Sequence, residues 1–240
     1  MSPRTKEQNE EIRLRRLEQI RKAAADVFLN KGPLMEIRDV AAQAGLGYGT
    51  VYHYYSNKGN LLHDLLWDAL ERAGGWMEAP SALASEKAPA GGHFGLAAAA
   101  DTGDSAAADS RRASRETAAA AGLGPVAAAS VRLLQLWAED HALYLLHKLA
   151  GEDFASLPEG RSAPLSVAFR REVLAPLAAL LETGRVADGA TASGEKAAEL
   201  SYRLQRAEML LAALVGCASL SLRRGKLHEE ARDIVKFLKL

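Results

Sequence analysis

Residues 45–62 read GLGYGTVYHYYSNKGNLL. Four of the chain's six tyrosines fall here, at 48, 52, 54 and 55, with glycines at 45, 47, 49 and 59. Local preference favours a strand over Thr50-Val51-Tyr52-His53-Tyr54-Tyr55, because β-branched and aromatic side chains suit a pleated surface. The glycines read as turns. A Gly-rich phosphate loop, an edge strand and a short helix held by its neighbours are the three readings, and the flanking sequence decides among them.

Helical periodicity surrounds the stretch. Over 9–30, Ile12, Arg16, Ile20, Ala23, Ala24, Val27 and Phe28 share one broad face. Lys31-Gly32-Pro33 ends that helix. A short helix fits Ile37–Ala44, with Ile37, Val40, Ala41 and Ala44 inward and Gly45 as its stop. From Lys58 to Trp76, Leu61, Leu62, Leu65, Leu66, Ala69 and Leu70 repeat at helical spacing, with Asn57 as N-cap. A dinucleotide loop at Gly45-x-Gly47-x-Gly49 needs a preceding strand, and Asp39–Ala44 is helical instead. Two helices joined at Gly45, with small Ala41 where they cross, form the pattern of a helix-turn-helix. Wound at 100° per residue, 48–55 puts Val51 and Tyr55 inward. Gly49, Thr50 and His53 face outward, Tyr52 and Tyr54 flank the edges, and Tyr48 projects from the N-terminal end. Such groups reach base edges and phosphates.

These residues resemble the DNA-binding domain of TetR-family transcriptional regulators over Ile20–Leu66. The matching positions are Ala24-x-x-x-Phe28-x-x-Lys31-Gly32, Asp39-Val40-Ala41-x-x-Ala44-Gly45 and Gly49-Thr50-Val51-Tyr52-x-Tyr54-Tyr55-x-Asn57-Lys58-x-x-Leu61-Leu62. The resemblance implies a homodimer on a near-palindromic operator, with 48–55 as recognition helix and a helical domain that binds a small-molecule effector. It carries over Tyr48, Gly49, Thr50, Tyr52, His53, Tyr54 and Lys58 as DNA contacts, and Arg38 is a further phosphate candidate. Four positions depart from the family pattern. Gly47 stands where Ser or Thr is usual, Tyr48 replaces Lys or Gln, Glu36 replaces a capping Thr, and Gly59 replaces an acidic residue after Lys58. The 32–36 loop is one residue short. These departures bear on operator sequence more than on fold.

The expected architecture is all-α. A helix-turn-helix domain (9–57) is followed by a connecting helix (58–78), an Ala/Gly-rich linker with a possible helix (79–125), and a helical effector-binding and dimerisation domain (126–240). The 79–130 window holds 20 Ala and 6 Gly but five large apolar residues, too few for a core of its own. Helical signal returns over 126–150 and over 165–183, where Pro176 implies a kink or a helix start, then over 195–224 and about 228–238. Trp137, His141 and Tyr144, at i, i+4 and i+7, share one helical face and are effector-pocket candidates, with ordinary core packing as the competing reading. Phe169 and Tyr202 complete the pocket set. The resemblance implies that the helices at 165–183 and 195–224 form a four-helix dimer interface, with Leu177, Leu181, Leu211 and Val215 as its candidates; a monomeric core is the alternative.

Charge is balanced overall, but residues 1–60 carry 10 Lys/Arg against 7 Asp/Glu, a modest excess compatible with a polyanionic partner. Cys217 is alone, which excludes an intramolecular disulfide and a Cys-based metal site. His141 and His147 are six apart and cannot share a metal from one helix, and no His-Glu-x-x-His occurs. No catalytic residue, metal or cofactor is expected. The polar N-terminus and the lack of a long uncharged apolar run predict a cytoplasmic protein that does not insert into membranes. The rival function classes are a helical interaction or small-molecule-binding protein without sequence-specific DNA binding, and an all-α enzyme.

Overall fold

The computed structural model describes residues 6–74, 123–158, 160–182 and 193–240, with 193–198 as backbone alone. The expected linker, its possible helix and most of the 185–194 loop lie outside these residues. Among the described residues the regular structure is helical throughout. α1 spans Lys6–Lys31, α2 Ile37–Ala44, α3 Tyr48–Tyr54 and α4 Lys58–Ala73. α5 spans Pro125–Glu139 and α6 His141–Ala150. α7 (Ser162–Phe169) runs through a π-helical turn, Arg170–Leu174, into α8 (Ala175–Glu182). α9 covers Ser193–Arg223 and α10 Leu227–Phe237.

α1, α2, α3 and the start of α4 form the N-terminal unit. Gly45 ends α2 at φ 64°, a left-handed geometry that strains any residue with a Cβ. The Leu46 amide then donates to the Ala41 carbonyl at 2.9 Å. α3 is a helix in spite of its β-preferring sequence because burial decides it. Val51 is fully buried and Tyr55 nearly so. Each such apolar burial contributes roughly 1.5–3 kcal/mol, more than the few tenths per residue of propensity against it. Asn57 caps α4 by accepting from the Asn60 amide at 2.8 Å.

α4 joins the two parts. It buries Leu61, Leu62, Leu65, Leu66, Ala69, Leu70 and Ala73, packing on α1 on one side and on α6 on the other. α10 packs on α5, and α9 lies against α8.

The stretch 126–150 divides where one helix was expected. Asp140 leaves the helical region at φ −127°, ψ 96°, and caps α6 by accepting from the Ala142 and Leu143 amides at 2.9 and 3.4 Å. Pro176 produces the irregularity that its missing N–H requires. The Ala175 amide bonds to Arg170, five residues back, and the widened turn precedes the proline.

Candidate functional site

The outward side of α3 is built from its two anchors. The Tyr55 hydroxyl donates to the Asp64 carboxylate, and Arg21 of α1 holds Asp64 at 3.2 Å and Asp68 at 2.9 Å. Burial and the adjacent Asp64 push the Tyr55 phenol well up, so it stays a donor. With Tyr55 and Val51 fixed inward, Tyr48 and Tyr52 stand about half exposed, 54% and 50%. Their rings stack at 5.7 Å, 28° apart. Gly49 and His53 are exposed and Thr50 is half-buried. A Cβ on Gly49 would meet nothing within 4 Å, so the protomer itself does not need a glycine there.

Tyr48 and Tyr52 share one concave surface with Glu36, Arg38, Ser56 and Lys58. Four of the eight candidate DNA contacts therefore converge at the junction of α2, α3 and α4. Two of them already have protein partners. Arg38 Nε pairs with Glu36 at 2.5 Å, which raises the guanidinium pKa further, mainly through that hydrogen bond. Lys58 Nζ donates to the Pro33 carbonyl at 2.7 Å, so its place at the start of α4 has a partner within the protomer. Tyr54 is less available than expected. It is half-buried against the core, its ring edge-on to His53 at 5.6 Å. Ser56 and Glu36 join the surface although neither was a candidate DNA contact, because their position depends on how α2 meets α3.

Glu36 also explains a departure from the family pattern. Its amide donates to Asp39 at 3.1 Å, so Asp39 does the capping work at the start of α2. Lys31 Nζ donates to the same carboxylate at 2.7 Å. That bond, with the Glu36 amide, holds the Asp39 pKa down.

Polar and steric contacts join the N-terminal unit to the rest. Arg72 of α4 donates to Asp140, the α6 cap, at 2.7 and 3.0 Å. His141 Nδ1 lies 2.6 Å from Asp26 of α1. The first turn of α4 meets Pro158: a Cβ built on Gly59 would stand 2.7 Å from Pro158 Cγ. Gly59, another of the four departures, is thereby accounted for.

A cavity of 730 Å³ lies between α6, α7 and α9, with Phe154, Phe169, Leu174, Leu211 and Val215 in its walls. The turn Gly151–Phe154 closes one side, and Asp153 and Phe154 both take left-handed φ, 49° and 54°. Consecutive non-glycine residues in that region store strain. Of the pocket candidates, Phe169 lines this cavity. Trp137 and Tyr144 do not; they are core residues, 0% and 1% exposed, packed edge-to-face at 5.7 Å. His141 turns to Asp26 because the break at Asp140 re-aims α6, and the shared face drawn on one continuous helix does not exist. Tyr202 is 57% exposed on α9, away from the cavity.

His147, considered in the sequence only as a metal ligand, has a different place. It is buried, with Nε2 unpartnered among the described residues, and it belongs to the walls of two cavities. The second, of 270 Å³, is bounded by Arg72, Ala73 and Asp140. Burial lowers the His147 pKa to about 4. Its place directly after Leu143-Tyr144-Leu145-Leu146, one turn on from Leu143, was the available signal.

Two of the four interface candidates are core residues of the protomer. Leu177 and Leu211 are buried within the protomer, and Leu181 and Val215 are half-buried against its core. α9 instead exposes Tyr202, Met209 and Leu220, with Ala212 and Gly216 between them. Spacings of seven and eleven residues keep 202, 209 and 220 on one helical face.

A short helix set against a second helix across a tight Gly45 turn, with aromatic, basic and hydroxyl groups outward, defines a helix-turn-helix DNA-binding protein. Residues 20–65 match the model of bacterial regulatory proteins, tetR family, so the N-terminal unit is a domain of that family. No curated protein matches the chain. Among solved structures it is similar to the fatty acid degradation regulator FadR of Bacillus halodurans, at 15% identity and a TM-score of 0.48, covering 92% of this chain and 96% of that one. It is also similar to the transcriptional regulator FadR of Bacillus subtilis in complex with stearoyl-CoA, at 18% identity and 0.47, with the same coverage. No described helix is long and apolar enough to cross a membrane.

Proposed function

We propose that the chain acts as a homodimeric, ligand-responsive repressor. It binds a near-palindromic operator through Tyr48, Gly49, Thr50, Tyr52, His53 and Lys58, with Arg38 on a phosphate. Arg38 exchanges the Glu36 carboxylate for that phosphate on docking. Tyr54 acts mainly through the position of His53. The exposed face of α9 at Tyr202, Met209 and Leu220 pairs with its copy, placing two α3 helices in successive major grooves about 34–36 Å apart.

The observation that carries ligand control is the path of α6. Its C-terminal half and the turn after it wall the 730 Å³ cavity, while its N-terminal cap holds Arg72 and the next residue holds Asp26. The same turn leads to Pro158, seated on Gly59 beside Lys58. A ligand that fits the cavity in one α6 position and not the other biases the DNA-binding unit. Coupling of this kind amounts typically to ~1–3 kcal/mol. Met209, Ala212 and Gly216 belong to both the cavity wall and the exposed α9 face, so occupancy and protomer pairing share residues.

In-vitro selection of bound duplexes, followed by titration, tests the reading. The expected product is a two-fold symmetric site bound by two protomers. Recovery of no common sequence contradicts sequence-specific binding and favours a ligand-binding or interaction protein.

A further inference from the structure

The 730 Å³ cavity has the size of a small-molecule site, and its lining narrows the chemistry. The buried part of the wall is mainly aromatic and aliphatic, while three acidic residues, Glu152, Asp153 and Glu208, and two basic ones, Lys148 and Arg170, stand at its more exposed side. Phe154 and Phe169 stand edge-to-face at 6.1 Å, and His147 is edge-on to Phe169 at 5.6 Å. A flat or branched apolar body suits such a lining.

His147 supplies the polar specificity. Its Nδ1 lies 2.7 Å from the Leu143 carbonyl, one turn back in α6. A carbonyl only accepts, so that contact puts the proton on Nδ1. Trp137 Nε1, at 3.3 Å from the same nitrogen, is also a donor; it could bond only the other tautomer, which would set a bare Nδ1 against the Leu143 carbonyl at 2.7 Å, so the shorter contact decides. Nε2 is then left with a bare lone pair. It has no partner among the described residues, and the residue is 4% exposed. Buried polar atoms are normally satisfied, and each exception needs a reason. Every other atom of an imidazole ring is bonded to Nε2 or lies one bond further away. His147 lines the cavity while Nε2 itself is covered, so a ligand seated against the ring reaches the lone pair by turning the ring or displacing what covers it. Burial keeps the ring neutral at physiological pH, so it offers an acceptor and no positive charge.

We propose that this cavity binds an uncharged, largely apolar ligand carrying a hydrogen-bond donor, a hydroxyl or amide N–H, which it gives to His147 Nε2. The inference rests on the ligand-responsive reading above and makes it specific. A carboxylate meets a neutral ring with no proton to share and is disfavoured. An ether or ketone brings a second acceptor against the first and gains nothing.

Three probes of one shape separate these cases: 1-naphthol, which donates, 1-methoxynaphthalene, which only accepts, and 1-naphthoate, which is charged. Calorimetric titration of the full chain is expected to give about tenfold tighter binding of 1-naphthol than of either other probe, the value of one net hydrogen bond. In His147→Leu that preference falls below about twofold, while His147→Gln keeps part of it. With ¹⁵N-labelled histidine, the Nε2 resonance missing from the His147→Gln spectrum moves on adding 1-naphthol and stays put with 1-methoxynaphthalene. Equal binding of the three, tighter binding of 1-naphthoate, a preference that survives in His147→Leu, or no binding at all overturns the proposal. The nitrogen shift decides the case if His147→Leu does not fold. Binding of 1-naphthol through His147 that leaves affinity for a selected operator unchanged upholds the site and removes ligand control from the proposed function.

Discussion

Gly59 and Pro158 meet so closely that a Cβ on the glycine would lie 2.7 Å from the proline Cγ. The contact joins the first turn of α4, beside Lys58, to the segment that follows the cavity's strained turn. A helix interior normally gains from Gly→Ala, by up to about 1 kcal/mol. Here the methyl has to displace Pro158, and overpacking costs about 1–3 kcal/mol. Gly59→Ala is therefore expected to lower stability and Pro158→Ala to restore it. Urea melts of the two single variants and the double variant measure the coupling. Additive effects would mean that the contact does not bear on either domain.

Arg72 and Asp140 form a second cross-domain pair, at 2.7 Å. Asp140→Asn keeps an acceptor for the Ala142 amide and weakens the pair with Arg72. The loss of operator affinity on ligand binding should shrink by about 0.5–2 kcal/mol, the range for residues along a coupling route. Operator titrations with and without 1-naphthol give the number. An unchanged ligand response in the variant would place the route elsewhere.

His147 sets a pH dependence. Its folded pKa of about 4 lies below the ordinary 6.5, so the unfolded chain binds the proton first as pH falls. The stability tied to the neutral ring is complete above about pH 6.5 and is lost progressively between about 6.5 and 4. For this fully buried ring the loss is roughly 3 kcal/mol. His147→Leu should flatten that window of a Tm-against-pH profile and, by removing an unsatisfied atom, leave stability at pH 8 equal or higher. A native-like slope in the variant would assign the dependence to other groups.

The protomer contact is tested by contrast along α9. Met209→Glu and Leu220→Glu change exposed side chains, 66% and 63%, and should yield folded monomers that bind operator poorly. Leu211→Glu puts a charge in the core and should unfold the helical domain, at a cost of several kcal/mol. Light scattering with far-UV circular dichroism separates the two results. An intact dimer in both surface variants would move the interface off this face.

The helix-turn-helix was legible because its signals are local. Gly45, Ala41 and the inward pair Val51 and Tyr55 lie within one short segment, and the fold follows from their spacing. The β-rich wording of Thr50–Tyr55 misleads only until tertiary burial is considered. The helical domain was legible as helices but less so as a site. One capping residue, Asp140, rotates α6 and undoes the face drawn through Trp137, His141 and Tyr144. Leu211 and Met209 are both apolar residues of α9, and only packing assigns one to the core and the other to the surface. Gly59 has no local role, since its reason is Pro158, ninety-nine positions away.

Gly49 gives the most direct measurement. Apart from its chain neighbours and its own helix backbone, no described atom lies within 4 Å of a Cβ placed there, so Gly49→Ala should leave Tm equal or raised by the better helix former. In the proposed docking the added methyl stands where the groove floor or a phosphate comes closest. Titrating a selected operator between about 50 and 200 mM salt, native protein should show a steep fall in affinity, reflecting several phosphate contacts. Gly49→Ala should bind at least about tenfold more weakly, a loss near 1.4 kcal/mol. A flat salt response, or a variant that binds as tightly as native protein, would contradict the placement of α3 in the major groove.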